Sequence, residues 1–178
     1  RSTLFPYTTL FRSRDYYMIG AAKYGSPQNA LTVWKDYMVE MGFGYTLGID
    51  LPSEARGMIP NSDYYDRHYN RSWNGLTTIS NAIGQGEVTL TPLQIANLGA
   101  TIANRGYYIT PHVVRDIDGV EQDSAYSTRH YVSVDKANYE IVVEGMRQSV
   151  IDGTCRSAAN RNYVVCGKTG TAQNRGID

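Results

Sequence analysis

Three stretches of this chain carry apolar residues at helical spacing, and glycine-rich and β-rich segments separate them. Asn29 to Met41 places Ala30, Val33, Trp34, Tyr37, Met38 and Met41 on one face at the i, i+3, i+4, i+7 period. Asn29 is its expected cap and Gly42 its expected stop. Thr91-Pro92 announces the second helix, an N-cap threonine followed by proline at the first helical position. Leu93, Ala96, Ala100 and Ala103 are its predicted inner face, with Gly106 ending it. The third runs from about Asp135 to Val150, with Tyr139, Val143, Met146 and Val150 inward. Between them, Gly42 to Pro60 reads as a glycine-punctuated loop, and a polar aromatic stretch continues through Trp73. Tyr107 to Ile117 has β character, with Pro111 marking an edge or kink. Tyr163 to Ala172 reads as a strand. Such a mixture predicts an α+β or α/β fold and excludes an all-helical one.

Residues 1–13, RSTLFPYTTLFRS, stand apart. Thr-Leu-Phe occurs at Thr3 and Thr9, and Arg-Ser at Arg1 and Arg12, with no helical or strand period running through them. The segment resembles a translated sequencing adapter and is set aside from the fold, as a fusion scar would be. Native sequence is then expected from about Arg14, as a partial domain over residues 14–178.

Composition removes several function classes. The chain has 178 residues, enough for one core, with 42% hydrophobic and 19% charged residues. Seventeen basic and seventeen acidic residues cancel, which argues against an electrostatic grip on nucleic acid or anionic lipid. Fifteen tyrosines suit half-buried sheets and a large groove. Cys155 and Cys166 make neither a disulfide framework nor a metal site, and are expected as two small buried thiols. His68, His112 and His130 show no ligand spacing, so no metal is expected. No apolar run is long enough to span a membrane.

One short motif carries chemistry, Lys168-Thr169-Gly170. A P-loop tail is one reading of Gly167-Lys168-Thr169. That loop needs a glycine where Asn162 stands, and the strand-like Tyr163-Val164-Val165-Cys166 cannot wrap phosphate. The other reading is the third motif of penicillin-reactive serine acyltransferases. There the lysine presents an ammonium to the substrate carboxylate and a neighbouring serine. The threonine hydroxyl donates to the same carboxylate, and glycine lets a peptide lie against the backbone. Thr171 offers its backbone N–H to the oxyanion of a tetrahedral intermediate. A plain surface Lys-Thr on an edge strand is the bland alternative for the tripeptide alone.

The surroundings separate these readings. GFGYTLGIDLP (Gly42 to Pro52), IGQGEVTLTPLQIANLGATIANRG (Ile83 to Gly106), EGMRQSV (Glu144 to Val150) and VCGKTGTAQN (Val165 to Asn174) occur in that order. In order and separation they resemble the class B penicillin-binding proteins, closest to the penicillin-binding protein 2 branch.

The resemblance implies a penicillin-binding transpeptidase or serine β-lactamase-like fold, a central antiparallel sheet flanked by helices, incomplete here. It implies D,D-transpeptidase chemistry on peptidoglycan stem peptides, with β-lactams acylating the same serine and no cofactor. Lys168, Thr169, Gly170 and Thr171 would bind substrate, with Lys168 and Thr171 also catalytic. The GQG segment and the Thr91-Pro92 entry would be scaffold, positioned by glycine geometry. An elongation-complex glycosyltransferase would be a partner. The longer protein would be anchored in the inner membrane with this domain in the periplasm. A serine β-lactamase or D,D-carboxypeptidase, and a penicillin-sensing receptor domain, remain alternatives with the same motif.

The chain departs from the family pattern at the nucleophile. Ser-x-x-Lys and Ser-x-Asn both belong before Gly42, and neither is present there. Ser133-Val134-Asp135-Lys136 and Ser72-Trp73-Asn74 match the two patterns in reversed order. Ser133 is expected to cap the third helix and Ser72 to lie in a polar loop. The chain as written is therefore expected not to acylate, and to fold poorly.

Overall fold

The computed structural model describes residues 18–170 apart from 79, 82, 83, 85 and 122. Helical backbone at residues 18–24 (α1) leads to α2 (Pro27–Glu40), α3 (Ser62–His68), the single turn α4 (Gly75–Thr78) and α5 (Pro92–Ala103). Strands β1 (Tyr107–Ile109), β2 (Asp116–Ile117), β3 (Val120–Glu121) and β4 (Arg129–Tyr131) precede α6 (Lys136–Ile151). The fold is α+β. Its described strands form two antiparallel pairs, β1 with β4 and β2 with β3.

Helix α2 starts two residues before the expected Asn29. Ser26 is extended, its hydroxyl accepts from the Asn29 N–H at 3.1 Å, and Pro27 fills the first helical position. Proline lacks the N–H that would need a partner there, so Ser26 is the better cap. The expected stop at Gly42 is correct. Its N–H donates to Val39 O and that of Phe43 to Met38 O, the paired bonds of a Schellman ending. Gly42 has φ +88, and a Cβ there would meet Leu47 Cδ2 at 2.6 Å and Asn97 Nδ2 at 2.9 Å. Both the backbone angle and the space demand glycine.

The loop from Gly42 to Pro60 has no regular structure, yet it is tied down. One carboxylate, Glu54, accepts the N–H groups of Leu47, Gly48 and Ile49 at 2.6, 2.9 and 3.2 Å. Asp50 accepts from the N–H of Val113 and Val114. Met58 pairs with Thr89 in an isolated antiparallel bridge.

The polar aromatic stretch contains a helix that the periodicity did not reveal. Asn61 caps α3 by accepting from the Tyr64 N–H at 2.9 Å, and Asp63 and Arg67 sit at the ends that favour them. Tyr65 is fully buried and packs with Leu31 and Trp73, its ring centroid 5.4 Å from that of Trp73. Three polar groups close around it. Tyr65 and Tyr69 donate to the two oxygens of Glu87 at 2.7 and 2.6 Å, and Asn81 donates to the Tyr65 hydroxyl at 2.9 Å. The glycines of the GQG segment adopt left-handed backbone. Gly84 and Gly86 both have φ +70, and a Cβ on Gly86 would meet Ser80 Oγ at 2.6 Å.

Helix α5 begins as expected. Thr91 and Gln94 complete a reciprocal capping box, with Pro92 at the first position. Its inner face is the reverse of the prediction. The buried residues are Gln94, Asn97 and Thr101, at 1%, 3% and 0% exposure, while Ala96, Ala100 and Ala103 face outward and Leu93 is half-buried. The helix packs against loop backbone, and backbone needs hydrogen bonds. Gln94 Nε2 donates to both Tyr45 O and Arg56 O at 2.9 Å, and Asn97 Nδ2 donates to Met41 O at 3.3 Å. Gly106 is not the left-handed terminator. Arg105 takes that position at φ +61, and Gly106 follows, where a Cβ would sit 3.0 Å from Tyr139 Cε2.

Tyr107 to Ile117 is two strands rather than one. β1 pairs with β4 in the register Tyr107 to Tyr131, Tyr108 to His130 and Ile109 to Arg129. Pro111 lies just beyond its end. β2 and β3 form a hairpin around Asp118 and Gly119, whose φ values of +52 and +78 suit a type I′ turn. α5 packs on β1 and on α6. Helix α6 buries Tyr139 and Val150, with Val143 and Met146 half-buried between them, as the spacing predicted.

Ser133 does not cap α6. Asp135 holds the N-cap position, and Ser133 donates its N–H and its hydroxyl to Glu40 Oε2 at 2.8 and 2.6 Å. The bond ties the end of α2 to the entry of α6. Ser72 lies in a loop, as expected. No described helix is long and apolar enough to cross a membrane.

Candidate active site

The Lys168-Thr169-Gly170 segment lies against the C-terminal half of α6. The Gly167 N–H donates to Met146 O at 3.1 Å. A Cβ on Gly167 would stand 3.4 Å from Val150 Cγ2 and 3.5 Å from Cys155 Sγ, so the backbone runs closely over the helix end. Residues 164–170 have no regular secondary structure, which corrects the expected strand over Tyr163 to Ala172. A strand exists through its partner, and the described ladders are only those of β1–β4 and β2–β3.

Lys168, Thr169 and Gly170 are all exposed, and Thr171 lies outside the described residues. Lys168 Nζ donates to Thr169 O at 2.8 Å, a contact within its own backbone. Thr169 Oγ1 stands 3.5 Å from Thr154 Oγ1, on the turn after α6. Among the described residues beyond its chain neighbours, nothing lies within 4 Å of a Cβ built on Gly170. The segment is therefore an exposed edge with an ammonium, a hydroxyl and an unshielded backbone in succession.

The helix beneath is stiffened by charge. Arg147 donates from Nε and Nη2 to the two oxygens of Glu144, both at 2.7 Å, and Gln148 adds a third bond. The Arg147 hydrogen bonds, with Gln148 second, hold the Glu144 carboxyl down at about 2. Arg147 is itself raised, first by Glu144 and more weakly by the neighbouring Cys166. A crevice of about 400 Å³ opens beside this pair, between Arg147, Val150 and Ile151 of α6 and the Asn160 to Val165 stretch.

The two cysteines differ, against the expectation of two buried thiols. Both are free, Cys155 is buried, and Cys166 is exposed. Gly167 covers Cys155, which leaves its chain neighbour Cys166 on the side of Arg147. The histidines are dispersed in local roles. His68 stacks on Tyr64 with centroids 3.8 Å apart, and His112 and His130 both contact Thr110. Among the described residues no group of three metal-binding side chains converges.

An α+β chain with this motif on an exposed edge has a defined kinship: it belongs to the penicillin binding protein transpeptidase domain family, whose model matches residues 6–176. That range overlaps the first thirteen residues, whose structure lies outside the described part.

Among curated relatives, the chain is 37% identical over 157 residues to the peptidoglycan D,D-transpeptidase MrdA of Acinetobacter baumannii. It is 36% identical over 144 residues to the MrdA of Haemophilus influenzae. These matches cover 84% and 78% of this chain but only 23% and 22% of the relatives, so the chain spans about a quarter of their length. Among solved structures, Pseudomonas aeruginosa PBP2 in complex with WCK 5153 superposes with a TM-score of 0.74 at 30% identity, over 90% of this chain and 36% of that one. Helicobacter pylori PBP2, solved with MreC, gives 0.68 at 28% identity, over 89% and 28%.

Proposed function

We propose that this chain is the middle portion of a transpeptidase domain, and that the longer protein cross-links peptidoglycan by serine acyl transfer. The observation that carries the reading is the exposed Lys168-Thr169-Gly170 edge held on α6, in a chain 37% identical to a named D,D-transpeptidase.

In this reading a serine outside the chain attacks the penultimate D-alanine carbonyl of a stem peptide. D-alanine leaves, and an amine of a second stem resolves the acyl-enzyme. The roles of this chain's residues follow from their chemistry. Lys168 presents its ammonium to the substrate carboxylate and to the serine machinery. Among the described residues its partner is the carbonyl of its own neighbour, so the side chain is released at little cost. The Thr169 hydroxyl donates to the same carboxylate. Gly170 lets the peptide backbone approach, and the Thr171 N–H meets the developing oxyanion. No metal or organic cofactor is required.

The relatives solved with MreC and within a peptidoglycan synthase complex support placing the longer protein among the cell-wall machinery. There it would act with a membrane glycosyltransferase, held by an N-terminal membrane anchor with this domain in the periplasm. β-Lactams would acylate the same serine.

A fluorescent penicillin tests the reading. The longer protein becomes covalently labelled, and the 178-residue chain does not, because its serines lack the required order. Lys168→Ala in the longer protein slows acylation by about 10²–10⁴-fold, the range for loss of a positioned acid–base group. Unchanged labelling after that substitution, or labelling of the 178-residue chain, overturns the assignment.

A further inference from the structure

On the face formed by α2, α3 and the Gly42 to Pro60 loop lies a pocket of about 240 Å³ that the transpeptidase reading does not use. Three cationic side chains line it, Lys35 from α2, Arg56 from the loop and Arg67 from α3, together with Tyr45 and Tyr64. No carboxylate lines it among the described residues. The cations are arranged rather than scattered. Lys35 Nζ stands 6.0 Å from the centre of the Tyr45 ring, and Arg56 Cζ stands 5.1 Å from the same ring.

Each guanidinium is also fixed by its inner nitrogen. Arg56 Nε donates to Gly44 O at 3.2 Å, and Arg67 Nε donates to Asp63 O at 3.1 Å. Both anchors leave the outer N–H pairs of the two forks for another acceptor, the arrangement that matches an oxyanion. None of the three cations forms an ion pair among those of the described residues. The floor is rigid, since Ile59 and Pro60 are buried. Lys35 and Arg56 gathered at one ring, with Arg67 lining the same pocket, repel one another. An anion seated between them reverses that repulsion.

We propose that this pocket binds a multiply charged oxyanion, a phosphate or a polycarboxylate. The proposal is independent of the acyl-transfer reading, since no residue of the Lys168 edge takes part.

Calorimetric titration of the longer protein that carries this chain, with inorganic pyrophosphate and separately with citrate, tests it. At least one of the two binds at a single saturable site, and whichever binds identifies the source of the oxyanion. Affinity falls as chloride is raised. The double substitution Lys35→Gln with Arg56→Gln weakens binding at least tenfold. Tyr45→Leu also weakens it, because the cations lose the ring that holds them. Arg115→Gln removes an exposed arginine elsewhere and leaves binding unchanged. Binding of neither probe overturns the proposal. So does binding that survives the double substitution, or that Arg115→Gln reduces equally.

Discussion

Gln94 shows how much one polar side chain can hold in this protein. Its side chain accepts the Thr91 N–H and donates to Tyr45 O and Arg56 O from a site that is 1% exposed. Leucine there would keep the volume and abandon two part-buried hydrogen bonds to backbone carbonyls. Each orphaned group costs roughly 1–3 kcal/mol. Gln94→Leu therefore destabilises by about 2–6 kcal/mol, read as a lower urea midpoint with an unchanged slope. Glu87 gives a pH signature. Burial alone raises its carboxyl, but the hydrogen bonds from Tyr69 and Tyr65 outweigh burial and leave it below its ordinary 4.5. Tyr65 is raised above the ordinary phenol value, first by burial and then by its bond to Glu87, and Tyr69 is raised by the same carboxylate. A lowered carboxyl contributes stability that is present above pH 4.5 and lost as the pH falls through its folded value. A raised phenol contributes stability that is present below pH 10 and lost as the pH climbs above it, since the unfolded chain ionises first. Glu87→Gln flattens both limbs of a melting-temperature profile, and a profile identical to the parent's would remove Glu87 from this account.

Among the elements, the start of α5 was legible in the sequence and its buried face was not. Thr91-Pro92 fixed the start of α5 because capping is local chemistry, complete within four residues. The facing of α5 depends on what lies beside it, and loop carbonyls 38 and 49 residues away select Gln94 over the alanines. α3 escaped notice because its buried face is a single tyrosine among polar neighbours, which gives no apolar period. Its signal was the cap and charge order, Asn61 and Asp63 before Arg67. The Asp118-Gly119 pair similarly announced a hairpin. In the candidate site, Lys168 to Gly170 could be named from sequence. The bond from Gly167 to Met146 and the neighbouring Thr154 hydroxyl could not, because only the packing of α6 brings them together. Gly42 and Gly48 separate two roles of glycine. Both have positive φ, but a Cβ at Gly42 strikes Leu47 and Asn97 whereas one at Gly48 meets open space. Gly48→Ala costs about 1 kcal/mol from the backbone angle alone. Gly42→Ala adds overpacking of about 1–3 kcal/mol, so thermal denaturation separates the two variants clearly.

The whole molecule is joined largely by side chains that reach distant backbone. Glu40 holds Ser133 across 93 residues, and Asp50 holds Val113 and Val114 across 63 and 64. A double-mutant cycle on Glu40→Gln and Ser133→Ala gives a coupling of about 1 kcal/mol in chemical denaturation. Zero coupling would mean that the Ser133 hydroxyl adds nothing to the bond that its N–H makes to Glu40. The Asp50 bond also has a consequence in time. A ribosome adds about 5–20 residues per second. The Gly42 to Pro60 loop therefore leaves the ribosome roughly 3–13 s before the backbone at Val113 and Val114 that its aspartate grips, at that rate of synthesis. Through that interval Asp50 has no β-region to hold, and Gln94, which secures the same loop, also arrives late. A nascent chain of this protein thus holds the loop only through its own Glu54 during its manufacture, when chaperones and proteases are most able to find it.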